Sequence, residues 1–545
     1  MSVETVFPER WRTATRRRFG TVRRLAVRVL FGDRLGLALW LGTLSVLAVY
    51  WRVGVFINDN YTVANALVAV SEGHLEIERA VFGPLDSPGT YTHEGSLYGR
   101  NYGQVAFALP VLWGLEALAV VADPGLVFAA LWSLGLLALS IQVGRLAGRP
   151  DAGATWGAVG AAGSLPVAAL QLTALAATAF AAVLAYRLLA RLHDRRTGLV
   201  AGGLTVLATG VGFWASLPKR HVYVVALVLG VAYAFSRSRS PTDADALVSA
   251  TAFRALAYAL VGLLTWVHAG EGFVVFLALV LVDVPTAPSN GPRTLAVVGV
   301  AFFVSLLPFF ATNVLISGDP LKPPRALTRF GSHDPTPGFG ESLAGGGSSG
   351  GGRGSGAGGG GGSGDLSFLD PVLGPILDPL TTLFAPVIAL AGTVHAEADW
   401  LLTALLAPIR TGIDELRAEP TRLFRIFVRG GYISGIVADD LNQTLYLTVL
   451  ESSPVVAGAV ALAGVAVVRT RQGVERAAGR LPHSATELRR CVVRSGQLPD
   501  RVPGRLRPPL LPPALATDVF LSLVGVLFLL TYYTRFPFPA QVTVR

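Results

Sequence analysis

The chain has 545 residues, 52% of them hydrophobic and only 15% charged, with a mean hydropathy of +0.54. That composition excludes a conventional water-soluble enzyme and describes a chain that lives in a membrane. The net charge of +10 does not point to nucleic acid, because arginine outnumbers lysine 43 to 2 and the basic residues cluster between apolar runs. The single cysteine, Cys491, excludes an internal disulfide and any CxxC chemistry.

Residues 1–34 form a basic tail without a small-residue cleavage site, read as cytoplasmic rather than as a cleaved signal. Nine arginines between Arg10 and Arg34 precede the first apolar run, Leu35 to Phe56, and are costly to translocate. The chain therefore begins its first outer loop, residues 57–105, on the extracytoplasmic side. Ala106 to Val121 is apolar but short and carries Pro110 and Glu116, which suits a re-entrant or interfacial helix. Were it to cross, the later loops would invert and the arginine bias would largely vanish.

Further spans are expected at Leu126–Leu146, Ala154–Ala169, Leu170–Ala190, Leu199–Leu217, His221–Phe235, Phe253–Val267, Gly272–Val282, Leu295–Ile316, Tyr446–Val468 and Leu515–Tyr533. The result is an all-α, polytopic transmembrane helical bundle of about eleven spans, with a transmembrane body over residues 35–316. A long outer loop follows at 317–445. Within it Gly345 to Gly364 holds 14 glycines in 20 residues, the composition of a flexible, disordered Gly/Ser tether. Leu366 to Pro408, interrupted by four prolines before Pro408, reads as interfacial helices. The C-terminal part, 446–545, brackets an arginine-rich cytoplasmic segment at 469–514.

The candidate chemistry lies at the outer face. In Ile57-Asn58-Asp59-Asn60-Tyr61 a carboxylate appears just past the first span, and Asp59 is either a reactive group or the N-cap of an interfacial helix. Glu94 to Gln104 clusters glycines with Tyr98, Arg100 and Tyr102. Glycines let backbone approach a ligand, tyrosines stack on a sugar or anchor at the headgroups, and Arg100 can fork onto phosphate.

Asn58-Asp59-Asn60-Tyr61, then Tyr91 to Tyr102, then Gln104 to Leu112 with Pro110, resembles the N-terminal part of GT-C-fold glycosyltransferases that use polyprenyl-phosphate sugars, such as protein mannosyltransferases and lipid A aminoarabinose transferases. The match covers Leu35 to Arg196, about a third of the chain. It implies juxtamembrane helices, an acidic residue at Asp59 that acts as base or orients the acceptor, and Tyr61 beside it. The family often has Asp-Glu where this chain has Asp59-Asn60, which weakens a second-carboxylate or metal role there.

Beyond that stretch, Leu217-Pro218-Lys219-Arg220-His221 and Gly318 to Arg325, with Lys322, supply cations at outer helix junctions, either for a donor phosphate or for ordinary headgroup contact. His268 and Glu271, at i and i+3, could give two ligands to a divalent metal, or cap a helix. Asn60-Tyr-Thr62 and Asn442-Gln-Thr444 are glycosylation sequons. The expected activity is sugar transfer from a polyprenyl-phosphate donor to a glycan, lipid or protein acceptor; the alternative is a transporter or flippase without covalent chemistry.

Overall fold

The computed structural model of the chain describes residues 25–51, 53–55, 59–123, 125–127, 130, 133–135, 165–239, 249–330, 395–427, 444–445, 511–532 and 540–541. The expected spans at 126–146 and 154–169 fall largely outside these residues, and the span at 446–468, the Gly/Ser tether and the arginine-rich segment fall wholly outside them. Among the described residues seven helices are long and apolar enough to cross a membrane.

Helix α1, Arg34–Tyr50, starts on Asp33, whose carboxylate accepts the Gly36 N–H at 2.9 Å. Helix α2, Asp59–Ser71, leads through a loop to strands β1, Tyr91–His93, and β2, Ser96–Tyr98. The turn between the strands uses Glu94 and Gly95, both at positive φ. That geometry matches the twist of a tight hairpin. Helix α3, Tyr102–Ala119, runs unbroken through Pro110. It is long and apolar enough to span, in contrast to the re-entrant segment expected over 106–121.

Helix α4, Leu165–Leu192, is also one helix, where the sequence suggested a break between Ala169 and Leu170. The start of α1 and the end of α4 meet. Tyr186 donates to Asp33 at 2.7 Å, and Arg187 donates to the carbonyls of Val29 and Leu30 at 2.7 and 3.0 Å.

Leu199–Leu217, expected as one span, is broken into α5, Arg195–Leu207, and α6, Gly210–Trp214. Helix α5 begins on Asp194, which accepts the Arg196 and Thr197 N–H groups. It lies against α4 through Gly198 and Gly202, where a Cβ would come within 2.6 Å of Tyr186 O and 2.7 Å of Ala182 O. Small residues permit such backbone approach between helices in lipid. Then follow α7, His221–Ser238; α8, Ala250–Val267; α9, Ala269–Thr286; and α10, Pro292–Ser317, all near their expected positions. Helix α10 leaves Val300, Phe303, Val304, Leu307 and Leu315 exposed, an apolar face suited to lipid rather than water.

A short strand β3, Thr328–Arg329, adds to β1 in the order β2-β1-β3, so a small antiparallel sheet caps an otherwise helical body. Helix α11, His395–Ala418, overlaps the end of the 366–408 stretch read as interfacial helices and continues through Pro408. It packs on the last helix, α13, Pro513–Tyr532; between them lies α12, Arg422–Phe427. One apolar core joins α7, α8, α9 and α13 around Phe235, Leu264, Leu279 and Phe520; a second joins α1 to α4 around Leu47, Leu67, Leu112 and Leu170.

The end of the bundle near Asp33 also holds a buried ion cluster. Asp283 of α9 receives Arg239 at 3.0 Å, Arg254 at 2.7 Å and the Tyr258 hydroxyl at 3.0 Å. Arg254 further donates to Ser289 O and Asn290, and Arg239 to Thr286 O. Both lone-pair regions of the carboxylate and much of each guanidinium are thereby satisfied, as low-dielectric burial requires.

Candidate functional site

The opposite end gathers the starts of α3, α7 and α9 with the ends of α8, α10 and α13. Its centre is the α8–α9 reversal. His268 is extended, closes α8 by donating its N–H to Leu264 O at 2.8 Å, and opens α9 by accepting the Glu271 N–H on Nδ1 at 3.2 Å. The reversal needs glycine at 272, because a Cβ there would lie 2.7 Å from Thr265 Cα. With Nδ1 an acceptor, the neutral ring carries its proton on Nε2.

That tight reversal turns Glu271 inward. Its Oε1 accepts from Arg220 at 3.1 Å and from the Tyr532 hydroxyl at 3.1 Å, while Oε2 is buried and unbonded. Arg220 sits just before α7. Burial works against its charge, but the Glu271 carboxylate beside it prevails and raises its affinity for the proton.

Arg325, in the 3₁₀ turn Pro324–Ala326, donates to Asn101 Oδ1 at 3.2 Å, and its Nε is buried without a partner. Burial, then the charges of Arg220 and Arg100, act against its own charge and lower its pKa. Arg100 follows β2 and lies along Gly89, where φ is +96° and a Cβ would come within 2.5 Å of the guanidinium. Burial, followed by Arg220, Arg325, His221 and Arg100, holds His268 well below its ordinary 6.5. Arg220 and His268 thus contact the Glu271 carboxylate, and the positive charges of Arg325 and Arg100 also reach His268, a locally cationic environment complementary to an anion.

The other sequence candidates divide. His221 stands beside this cluster with its ring 4.9 Å from that of Trp214, and Lys219 Nζ lies 5.4 Å over the same indole. Lys322 takes part through its backbone, in bonds to Asp319 and Ser317. Tyr61 packs on Gly83, and Tyr98 pairs across the hairpin with Tyr91. Tyr102 is a buried tie, accepting the Gly99 N–H at 3.1 Å and donating to Leu75 O at 2.8 Å. Asp59 heads α2, and its side chain lies outside the described residues, as do Glu451 and Asn442. Asn60 is only 1% exposed, so its sequon is inaccessible to a glycosylating enzyme in the folded chain.

His268 and Glu271 adopt the capping alternative, with the histidine as cap; among the described residues no three metal-ligating side chains gather. Two contributors were not among the sequence candidates: Tyr532, at the end of the last apolar run, and Asn101, within the Glu94 to Gln104 cluster. Gln171, buried at the same end, joins Trp51 Nε1 to Gly54 O and Ser216 O.

Fold and site together define a multi-span membrane protein, with a cationic cluster at one end of its bundle. Comparison with protein-family models, with curated proteins and with solved structures finds no match for the chain.

Proposed function

We propose that this membrane protein transfers a sugar from a polyprenyl-phosphate carrier to an acceptor at the extracytoplasmic face. The observation that carries the proposal is the gathering of Arg100, Arg220 and Arg325 around neutral His268, with Glu271 the only carboxylate among the described groups that bear on it. The distribution of arginines in the sequence supports the outward orientation, and the resemblance of residues 35–196 supports the reaction class.

In this mechanism Asp59 takes the proton of the acceptor hydroxyl as its oxygen attacks the anomeric carbon. The bond from that carbon to the phosphate oxygen breaks, and the carrier leaves as a phosphate. The arginines offset the charge that develops on it, and His268 Nε2–H contributes a neutral donor. The carrier's tail stays in lipid, beside exposed apolar helices.

The test is transfer of labelled sugar from polyprenyl-phosphate sugars in membranes containing the full chain. Asp59→Asn is expected to reduce transfer by ~10²–10⁴-fold at unchanged expression, the usual range for a lost general base. Arg325→Gln is expected to weaken carrier binding. Unaltered transfer by Asp59→Asn overturns the assignment of Asp59 as base, and no transfer by the parent chain favours the transport alternative.

A further inference from the structure

Two side chains near the cationic cluster stand out because nothing described satisfies them. Asn60, in the first turn of α2, is 1% exposed; Gln104, in the first turn of α3, is 0% exposed; and neither amide has a bonded oxygen or nitrogen among the described residues. A buried carboxamide gives up its water bonds and normally recovers them from the protein. Here one helix turn further on, Ala64 and Ala108 are wholly buried in the same apolar core, so each amide sits at the end of a dry stripe.

Both are tied to the arginines by short routes. The Gln104 N–H donates to Asn101 O at 2.9 Å, and the Asn101 side chain receives Arg325 at 3.2 Å. Thr62, two residues beyond Asn60, donates to Pro88 O at 3.2 Å and meets Thr90 at 3.2 Å; Gly89, between them, is the residue against which Arg100 lies. The segment that leads from β2 into α3 also packs closely on α2: a Cβ on Gly99 would lie 2.7 Å from Ala66 Cβ and 3.4 Å from Thr62 O.

We infer that Asn60 and Gln104 form a neutral subsite that binds the hydroxyl groups of a glycosyl phosphate whose phosphate is held by the neighbouring arginines. A carboxamide offers both a donor and an acceptor, which is what a sugar hydroxyl presents in return. The amides add no charge, so they can discriminate a sugar-bearing carrier from the bare one without altering affinity for phosphate. The inference rests on the anionic-carrier reading above, and its failure is distinguishable from failure of that reading.

The experiment uses the purified full chain in detergent, with Asn60→Leu and Gln104→Met as near-isosteric apolar replacements. Without ligand, both variants are expected to unfold at a higher temperature than the parent, because a group poised for a ligand is a burden to the empty fold. Added farnesyl phosphate is expected to raise the unfolding temperature of parent and variants equally. Farnesyl phosphates bearing glucose, mannose, galactose or arabinose are compared next; at least one is expected to raise the parent further, and that increment to be lost in both variants.

Unfolding of the variants below the parent would make the amides structural and overturn the inference. So would a parent that treats all sugar-bearing carriers like farnesyl phosphate, or variants that keep the increment. A parent indifferent to farnesyl phosphate and to every sugar-bearing form overturns both the subsite and the carrier reading; a parent that responds to the bare carrier alone overturns the subsite only.

Discussion

His268 concentrates the physics of the site in one ring. Its Nδ1 is committed to the Glu271 N–H, and desolvation, with Arg220, Arg325, His221 and Arg100 nearby, disfavours a second proton. Because the folded state holds the ring below its ordinary 6.5, the unfolded chain takes up a proton first as pH falls. The stabilising contribution is therefore complete above about 6.5 and is lost on descending from there toward the folded-state value. Unfolding temperature in detergent is expected to drop over that acid interval, and His268→Asn, which keeps a capping acceptor without a titrating ring, is expected to flatten the drop. An unchanged acid limb in the variant would move the titration to another group.

At the scale of elements, α4 and α5 meet with backbone close to backbone. Gly202 fits where a Cβ would come within 2.6 Å of Leu39 Cδ2 and 2.7 Å of Ala182 O, the second being backbone that cannot turn aside. Gly202→Val is expected to cost ~1–3 kcal/mol through overpacking, read as a lower unfolding temperature, whereas Gly203→Val, with open space around it, should change little. Leu199–Leu217 misled for a different reason: periodic apolarity registers burial but not the break at Ala208 and Thr209, whose hydroxyl caps α6. Helices α7 to α10 were legible because each is a long apolar run between polar junctions. The hairpin was not, since its strands have three residues each, too few for an alternating pattern to emerge. Of the site, the residue types Arg100, Arg220, His268 and Arg325 were readable as candidates, whereas the backbone tie made by the Tyr102 hydroxyl was not. Their convergence was not readable, because it depends on how helices separated by long stretches of chain pack.

Across the whole molecule, charge is handled differently at the two ends of the bundle. Near Asp33 both oxygens of Asp283 are taken up by Arg239, Arg254 and Tyr258, with Arg239 Nε left buried and unbonded, whereas near His268 the unbonded atoms include a carboxylate oxygen, Glu271 Oε2, as well as Arg325 Nε. Asp283→Ala, which strands two buried cations, is expected to cost ~3–5 kcal/mol. Its folded fraction should still bind farnesyl phosphate like the parent, because Asp283 is twelve residues, about 18 Å, along α9 from Glu271. Loss of binding in the folded fraction would instead mean that the two ends act as one unit.

The bond from Tyr532 to Glu271 spans 261 positions of the chain. During synthesis Glu271 therefore enters the bilayer lacking one of its two clasps, and this end of the bundle is complete only once Tyr532 has been made.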